Sequence, residues 1–285
     1  MKFYETYTYP YRESSPQEAH GVSMRKRDVI VPLRMPFWKR VLDIAISLSC
    51  IAFIFPLVFL VVALFIKMVS RRGPVLFRQK RVGIGGKPFT LLKFRTMHSG
   101  DNATIHDAHI KILMDSNAPM VKLEDYPRII PLGKVLRATG IDELPQLFNV
   151  LHGDMSIVGP RPCIPYEQAK YLPWHHQRLD VPPGLTGLWQ VSGKNRLTFQ
   201  QMMRLDIAYV RNMSLWMDIK IIVKTPLAIL QQVGDVVRKK ILGIRSDTLI
   251  SRTFTATTDA VQGVRYVPVA NRRITTPKIS LWTKN

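Results

Sequence analysis

Two adjacent carboxylates, Asp142 and Glu143, stand in the stretch Thr139-Gly-Ile-Asp-Glu-Leu-Pro-Gln-Leu-Phe-Asn-Val-Leu-His-Gly-Asp154, and they are the side chains best suited to do chemistry. Pro145 suits the first turn of a helix and Gly153 its end, with Leu147, Phe148, Val150 and Leu151 supplying an apolar face between them. The carboxylates are therefore expected at a helix N-terminus. Free N–H groups there favour negative charge, so both acids should stay ionised, and a bound phosphate would use the same field. One acid can then act as a nucleophile and the other as a metal ligand. The simpler reading is that Asp142 only caps the helix, since Asp is a favoured cap.

Other candidate centres are weaker. Cys50 lies in an apolar run and Cys163 between prolines, a spacing that fits neither a zinc site nor a disulfide framework. His98, Asp101, His106, Asp107 and His109 lie in a polar stretch over 98–127 without an i, i+4 histidine pair, which reads as solvated helix or loop. Gly83-Ile-Gly-Gly86 precedes Lys87 and Pro88, not Lys and Ser or Thr, so it is a turn and not a phosphate-binding P-loop. The loop Pro182-Pro-Gly-Leu-Thr-Gly-Leu-Trp-Gln-Val-Ser-Gly-Lys-Asn195 suits a ligand or a structural turn equally.

The elements that must position these residues follow from charge and periodicity. Forty-one Lys and Arg against 20 Asp and Glu give +21, which points to polyanionic partners: nucleic acid, anionic lipid or phosphorylated metabolites. Residues 1–36 lack periodicity and read as a mobile arm without a secretory signal. Arg25-Lys-Arg27, Arg34, Lys39 and Arg40 precede the uncharged run Ile44 to Ile66 and should face the cytoplasm. Its 23 residues match a bilayer core in length, but Pro56 divides them, and nine Lys or Arg with no acid lie between Lys67 and His98. A helix that enters the membrane, breaks at Pro56 and returns satisfies both facts.

Val75 to Val82 and Pro88 to Arg95 flank the glycine turn as a β-hairpin with a basic face. There Arg78, Lys80, Arg81, Lys93 and Arg95 are expected to meet phosphate or lipid headgroups. Thr198-Phe-Gln-Gln201 predicts a capping box opening a helix through Val210, and Asp218 to Gln232 a second, apolar helix ending at Gly234. From Arg238 onward ten basic and two acidic residues read as a basic tail.

These elements, in this order, resemble the monotopic polyprenyl-phosphate phosphoglycosyl transferases, the bacterial sugar transferase family. The resemblance spans about Phe37 to Gln232 and rests on Lys39-Arg-Val-Leu-Asp43, Gly73-Pro-Val-Leu-Phe-Arg-Gln-Lys-Arg-Val-Gly83, Lys93-Phe-Arg-Thr-Met97, Asp142-Glu-Leu-Pro-Gln146, Gly153-Asp-Met-Ser-Ile-Val-Gly-Pro-Arg-Pro162 and the Pro-Gly-Leu-Thr-Gly loop. It implies an α+β, mainly helical fold: a monotopic membrane protein with one Pro-broken re-entrant helix, a small β-hairpin and interfacial amphipathic helices. The expected divisions are an arm over 1–36, the membrane helix and its flanks over 37–72, a catalytic domain over 73–234 and a tail over 235–285.

The implied activity is Mg2+-dependent transfer of a sugar 1-phosphate from a UDP-sugar to undecaprenyl phosphate, with release of UMP, at the cytoplasmic face of the bacterial inner membrane. By position, Asp142 is then the nucleophile, Glu143 the Mg2+ ligand, and Arg137, Arg161, Arg78, Lys93, Arg95 and Gln146 substrate-binding residues. Membrane lipid is an expected partner and nucleic acid is not; a homodimer or glycan-assembly partners are compatible with the resemblance. Phe55 stands where a small hydroxyl residue is frequent in relatives, and Lys194 where arginine is common. The competing class, a membrane-anchored binder of nucleic acid or anionic lipid, accounts for the charge and leaves the paired carboxylates unexplained.

Overall fold

The apolar run breaks where Pro56 stands. Helix α1 (Phe37–Phe53) and helix α2 (Phe55–Val69) meet at Ile54 with a 57° bend, and Pro56 falls in the first turn of α2, where a helix has no use for the missing N–H. The backbone stays bonded through the bend: Ile54 N–H donates to the Cys50 carbonyl and Val58 N–H to that of Ile54. No single described helix is long and apolar enough to cross a membrane, whereas the bent pair together meets that measure.

The structure, a computed structural model, describes residues 32–70, 73–97, 110–115, 119–120 and 129–241. These belong to one compact unit, Met1–Ile244; a second unit, Arg245–Asn285, lies outside the described residues. So do His98, Asp101, His106, Asp107 and His109, the arm through residue 31 and the tail from 242.

Helix α1 carries Lys39, Asp43 and Ser47 at i, i+4 and i+8, a polar stripe within an apolar helix, and all three are buried. Lys39 Nζ donates to the Val158 carbonyl at 2.8 Å, the Tyr209 hydroxyl at 2.9 Å and Asp218 Oδ2 at 2.6 Å. Asp43 Oδ1 accepts from the Ser156 hydroxyl and the Ile157 N–H. Arg40 donates to the carbonyls of Val150 and Leu151. Lys39 is thus a buried tie between α1 and the rest of the protein, not the surface charge that its place before the apolar run suggests.

The expected hairpin is present. Strands β1 (Leu76–Val82) and β2 (Pro88–Phe94) pair antiparallel from Leu76 opposite Phe94 to Val82 opposite Pro88, around a 3-10 turn at Ile84–Gly86. Helix α3 (Gly133–Thr139) leads through a 3-10 turn to helix α4 (Gln146–His152), which ends at Gly153 with φ 102°, a conformation that favours glycine.

Strands β3 (Ser156–Val158) and β4 (Gly184–Thr186) form a two-residue parallel register that places the two glycine-containing loops against each other. A Cβ at Gly159 would meet the Pro182 carbonyl and the Gly184 backbone, and one at Gly184 would meet Gly159. Close backbone approach therefore accounts for these two glycines of the loops. Short helices α5 (Pro165–Gln168) and α6 (Leu188–Val191) flank a 3-10 segment, Pro173–Asp180, and β4.

Helix α7 (Phe199–Arg211) opens on the predicted capping box: Thr198 accepts from the Gln201 N–H while Gln201 bonds the Thr198 N–H. Helix α8 (Leu215–Ile241) corrects the expectation that the last helix ends at Gly234. A mid-helix glycine costs only about 1 kcal/mol, which the apolar face of a long helix outweighs. One core joins Phe89 and Leu91 of β2, Leu147 and Val150 of α4, Ile157 and Val158 of β3, and Tyr209, Val210 and Ile221 of the last two helices. The fold is α+β and mainly helical, with two two-stranded sheets among the described residues.

Candidate active site

Asp142 and Glu143 occupy the 3-10 turn Ile141–Glu143 directly before α4, entered through Gly140 at φ 73°. The cap positions of this turn and of α4 are Gly140 and Pro145, so Asp142 does not stand at the cap position of the helix. Its side chain is buried, whereas that of Glu143 is 22% exposed and can meet a ligand.

What faces them is set by Asn149. From the interior of α4 its amide donates to the Thr90 carbonyl at 2.8 Å and accepts from the Leu92 N–H at 3.1 Å, so the side chain bonds β2 as another strand would. Lys93, one residue further, then lies with Nζ 3.4 Å from Glu143 Oε1. Phe94 takes the opposite direction and stacks with Phe55 at 6.4 Å, and Phe55 also meets Phe148 edge-on at 5.1 Å. The first turn of α2 is thereby seated against the strand and helix that carry the site.

The remaining expected residues spread over three places. Arg137 lies in the last turn of α3, just before the acidic turn, and its carbonyl accepts from Gln232 of α8. Gln146 is buried in the first turn of α4. Arg78 is exposed on β1, while Arg95 is buried at the end of β2 with Nη2 bonded to the Ser70 carbonyl, where it ties down the chain after α2.

Arg161 reaches Glu167 Oε1 at 2.9 Å, and Arg178 holds the same loop from behind, donating to the Arg161 carbonyl, the Tyr171 hydroxyl and Asp206 Oδ2. Arg81, on the basic face of the hairpin by sequence, is in fact buried and donates to the Pro162 carbonyl at 3.0 Å. Glu167, Arg178 and Asp206 escaped sequence reasoning, whereas Arg81 was expected on the exposed basic face and is instead buried against the loop.

Electrostatics tie the two loops together. Burial and the neighbouring Arg161 push the Arg81 guanidinium down to about 10, against the smaller opposing pull of Glu167, Cys163 and Glu143. Burial raises the Cys163 thiol and the Tyr171 hydroxyl, so both are neutral at physiological pH. His175 is lowered to about 4, first by burial and then by Arg178 and His176. Burial also lifts the Asp206 carboxyl, to about 6, but its 2.5 Å contact with Arg178 keeps the pair ionised at neutral pH.

Among the described residues no group of three or more His, Cys, Asp and Glu side chains could cage a metal. The donor set at Asp142 and Glu143 nonetheless fits Mg2+, which keeps several waters and binds through one or two carboxylates plus substrate phosphates.

A paired-carboxylate turn faced by lysine, with an arginine-bearing loop and a core held by a bent pair of apolar helices, defines a candidate phosphoryl-transfer protein. The bacterial sugar transferase family matches residues 34–232, and the chain belongs to that family. It is 44% identical over 177 residues to the galactosyl transferase CpsE of Streptococcus agalactiae, covering 61% of this chain and 39% of that protein. It is 42% identical to the UDP-glucose:undecaprenyl-phosphate glucose-1-phosphate transferase of Caulobacter vibrioides, covering 66% of this chain and 67% of that one. Against the exopolysaccharide production protein ExoY of Sinorhizobium fredii the identity is 38%, over 66% of this chain and 83% of that one. The chain spans about two fifths of the length of the first curated relatives it matches.

Proposed function

We propose that the chain transfers a sugar 1-phosphate from a UDP-sugar to undecaprenyl phosphate, the first membrane step in building an exopolysaccharide, capsule or O-antigen. The observation that carries this reading is the buried Asp142 carboxylate beside the accessible Glu143, held opposite Lys93 by the Asn149 bonds. Relatives named for the transfer of glucose 1-phosphate or galactose phosphate to undecaprenyl phosphate support the substrate class.

In the first half-reaction an Asp142 oxygen attacks the sugar-bearing phosphorus, and the bond from that phosphorus to the bridging oxygen breaks, so UMP leaves with the electron pair. In the second, an oxygen of undecaprenyl phosphate attacks the same phosphorus and the Asp142 carboxylate departs. A carboxylate can approach a diphosphate only if cations shield its charge, which is the task of Lys93, Arg137 and Arg161. Mg2+, held by Glu143, would neutralise the diphosphate.

The membrane reading has independent support. Phe53, Leu57, Leu60, Leu64 and Met68 around the bend are exposed, as are Trp216, Val223, Leu227 and Leu230 along α8. Lipid is the solvent that suits such faces, with α1 and α2 re-entering the inner leaflet and α8 lying at the cytoplasmic interface.

Incubation of the wild type with donor alone tests the chemistry. A peptide containing Asp142 should gain the mass of one sugar phosphate, with UMP released before any acceptor is added. An adduct on another residue defeats the assignment of Asp142.

A further inference from the structure

Arg81 is only 5% exposed, yet its protein partners are all neutral: Gln79 Oε1 takes its Nε and Nη2, and the Pro162 carbonyl takes Nη1. Of the two carboxylates in its field, Glu143 is bonded to Lys93, and Glu167 gives Oε1 to Arg161 while its buried Oε2 accepts no bond, from Arg81 or from any other group. The neighbouring Cys163 and Tyr171 carry no charge at neutral pH. Arg81 holds the carbonyl of Pro162, the residue that follows Arg161, so the two guanidiniums belong to one loop. Two guanidiniums at one loop, with a single carboxylate bonded to one of them, leave one positive charge uncompensated in a buried setting, which is costly unless an anion completes the site.

We propose that Arg81 and Arg161 together form a receptor for a phosphate group, with Arg81 as the inner guanidinium and Arg161 as the rim. The geometry supplies the donors. Arg161 spends one bond on Glu167 and Arg81 three on neutral acceptors, so N–H groups of both remain for an anion. The loop is also preorganised, because guanidiniums hold the carbonyls of the consecutive residues Arg161 and Pro162 from two sides. This rests on the phosphoryl-transfer reading only for the anion's origin: the nucleotide diphosphate or the polyprenyl phosphate.

Thermal-shift titrations of the full chain in detergent with inorganic pyrophosphate, UMP, uridine and a short-chain polyprenyl phosphate test it, using wild type, Arg81→Lys and Arg81→Gln. Arg81→Gln keeps a donor for the Pro162 carbonyl but no charge, and Arg81→Lys keeps the charge without the fork. The half-saturating concentration of pyrophosphate should rise about tenfold or more in Arg81→Gln and less in Arg81→Lys, with no response to uridine in any of them.

A response to UMP assigns the site to the donor, and a response to polyprenyl phosphate alone assigns it to the acceptor. Equal affinity in wild type and Arg81→Gln, or weaker binding by Arg81→Lys than by Arg81→Gln, overturns the proposal and leaves Arg81 as a strut for the loop. Should the variants not fold, a crystal of the wild type soaked in pyrophosphate decides: the anion lies within hydrogen-bond reach of both guanidiniums, or the proposal falls. If pyrophosphate binding depends on Arg81 while no UDP-sugar supports turnover, the anion site stands and the transferase reading falls.

Discussion

At the scale of single residues, the site separates stability from turnover. Lys93 and Glu143 are each about a quarter exposed at a 3.4 Å contact, and such pairs contribute less than about 1 kcal/mol to folding. Lys93→Met should therefore leave the melting temperature nearly unchanged while UMP release falls at least about tenfold, because the charge facing the phosphate is gone. Asp142→Asn keeps size and fold, and should lower turnover at least about a thousandfold with no adduct formed. His175 gives a different signal. Its pKa is about 4 in the fold and 6.5 when unfolded, so between these values the unfolded chain binds the proton and the folded one does not. The stability His175 contributes is thus complete above about pH 6.5 and lost as the pH falls towards 4. Chemical denaturation at pH 7 and pH 5 should show a larger acid loss for the wild type than for His175→Phe.

Among elements, those with local signals were legible in the sequence. Pro145 and Gly153 marked the bounds of α4, Thr198 and Gln201 the start of α7, Pro56 the break, and the glycine turn the hairpin. The parallel pair β3 and β4 was not legible, because strands of three residues have no readable period and their partners are 28 residues apart. The same limit hid Arg178 and Asp206, whose bond crosses 28 residues and joins two elements. Helix α8 runs past the stop expected at Gly234, whose place in the helix leaves its Cβ position open. The glycine crossing yields its own test: Gly159→Ala forces backbone against backbone and should cost more than about 2 kcal/mol, measured by urea unfolding, whereas Gly234→Ala should stabilise slightly.

For the whole molecule, the bend between α1 and α2 decides between the proposed re-entrant arrangement and a crossing helix. In the re-entrant arrangement, cysteines introduced at Arg34 and Pro74 in a Cys50→Ala background should react with an impermeant thiol reagent from the same side; reaction from opposite sides would mean a crossing helix. Replacing Pro56 by Leu restores a backbone donor at the bend and should move a fraction of molecules to that crossed form. The tie at Lys39 adds a further consequence. The apolar helix α1 begins inside the protein: Lys39 reaches α8 and β3, and Asp43 satisfies two donors of β3. A chain trimmed to start after Val69 would leave Asp218 as a buried charge without its cation, so it should fail to fold in any detergent. In the proposed arrangement anchor and core are one cooperative unit, and a water-soluble version of this protein has to be made by repainting the exposed apolar side chains of α1 and α2, never by cutting them away.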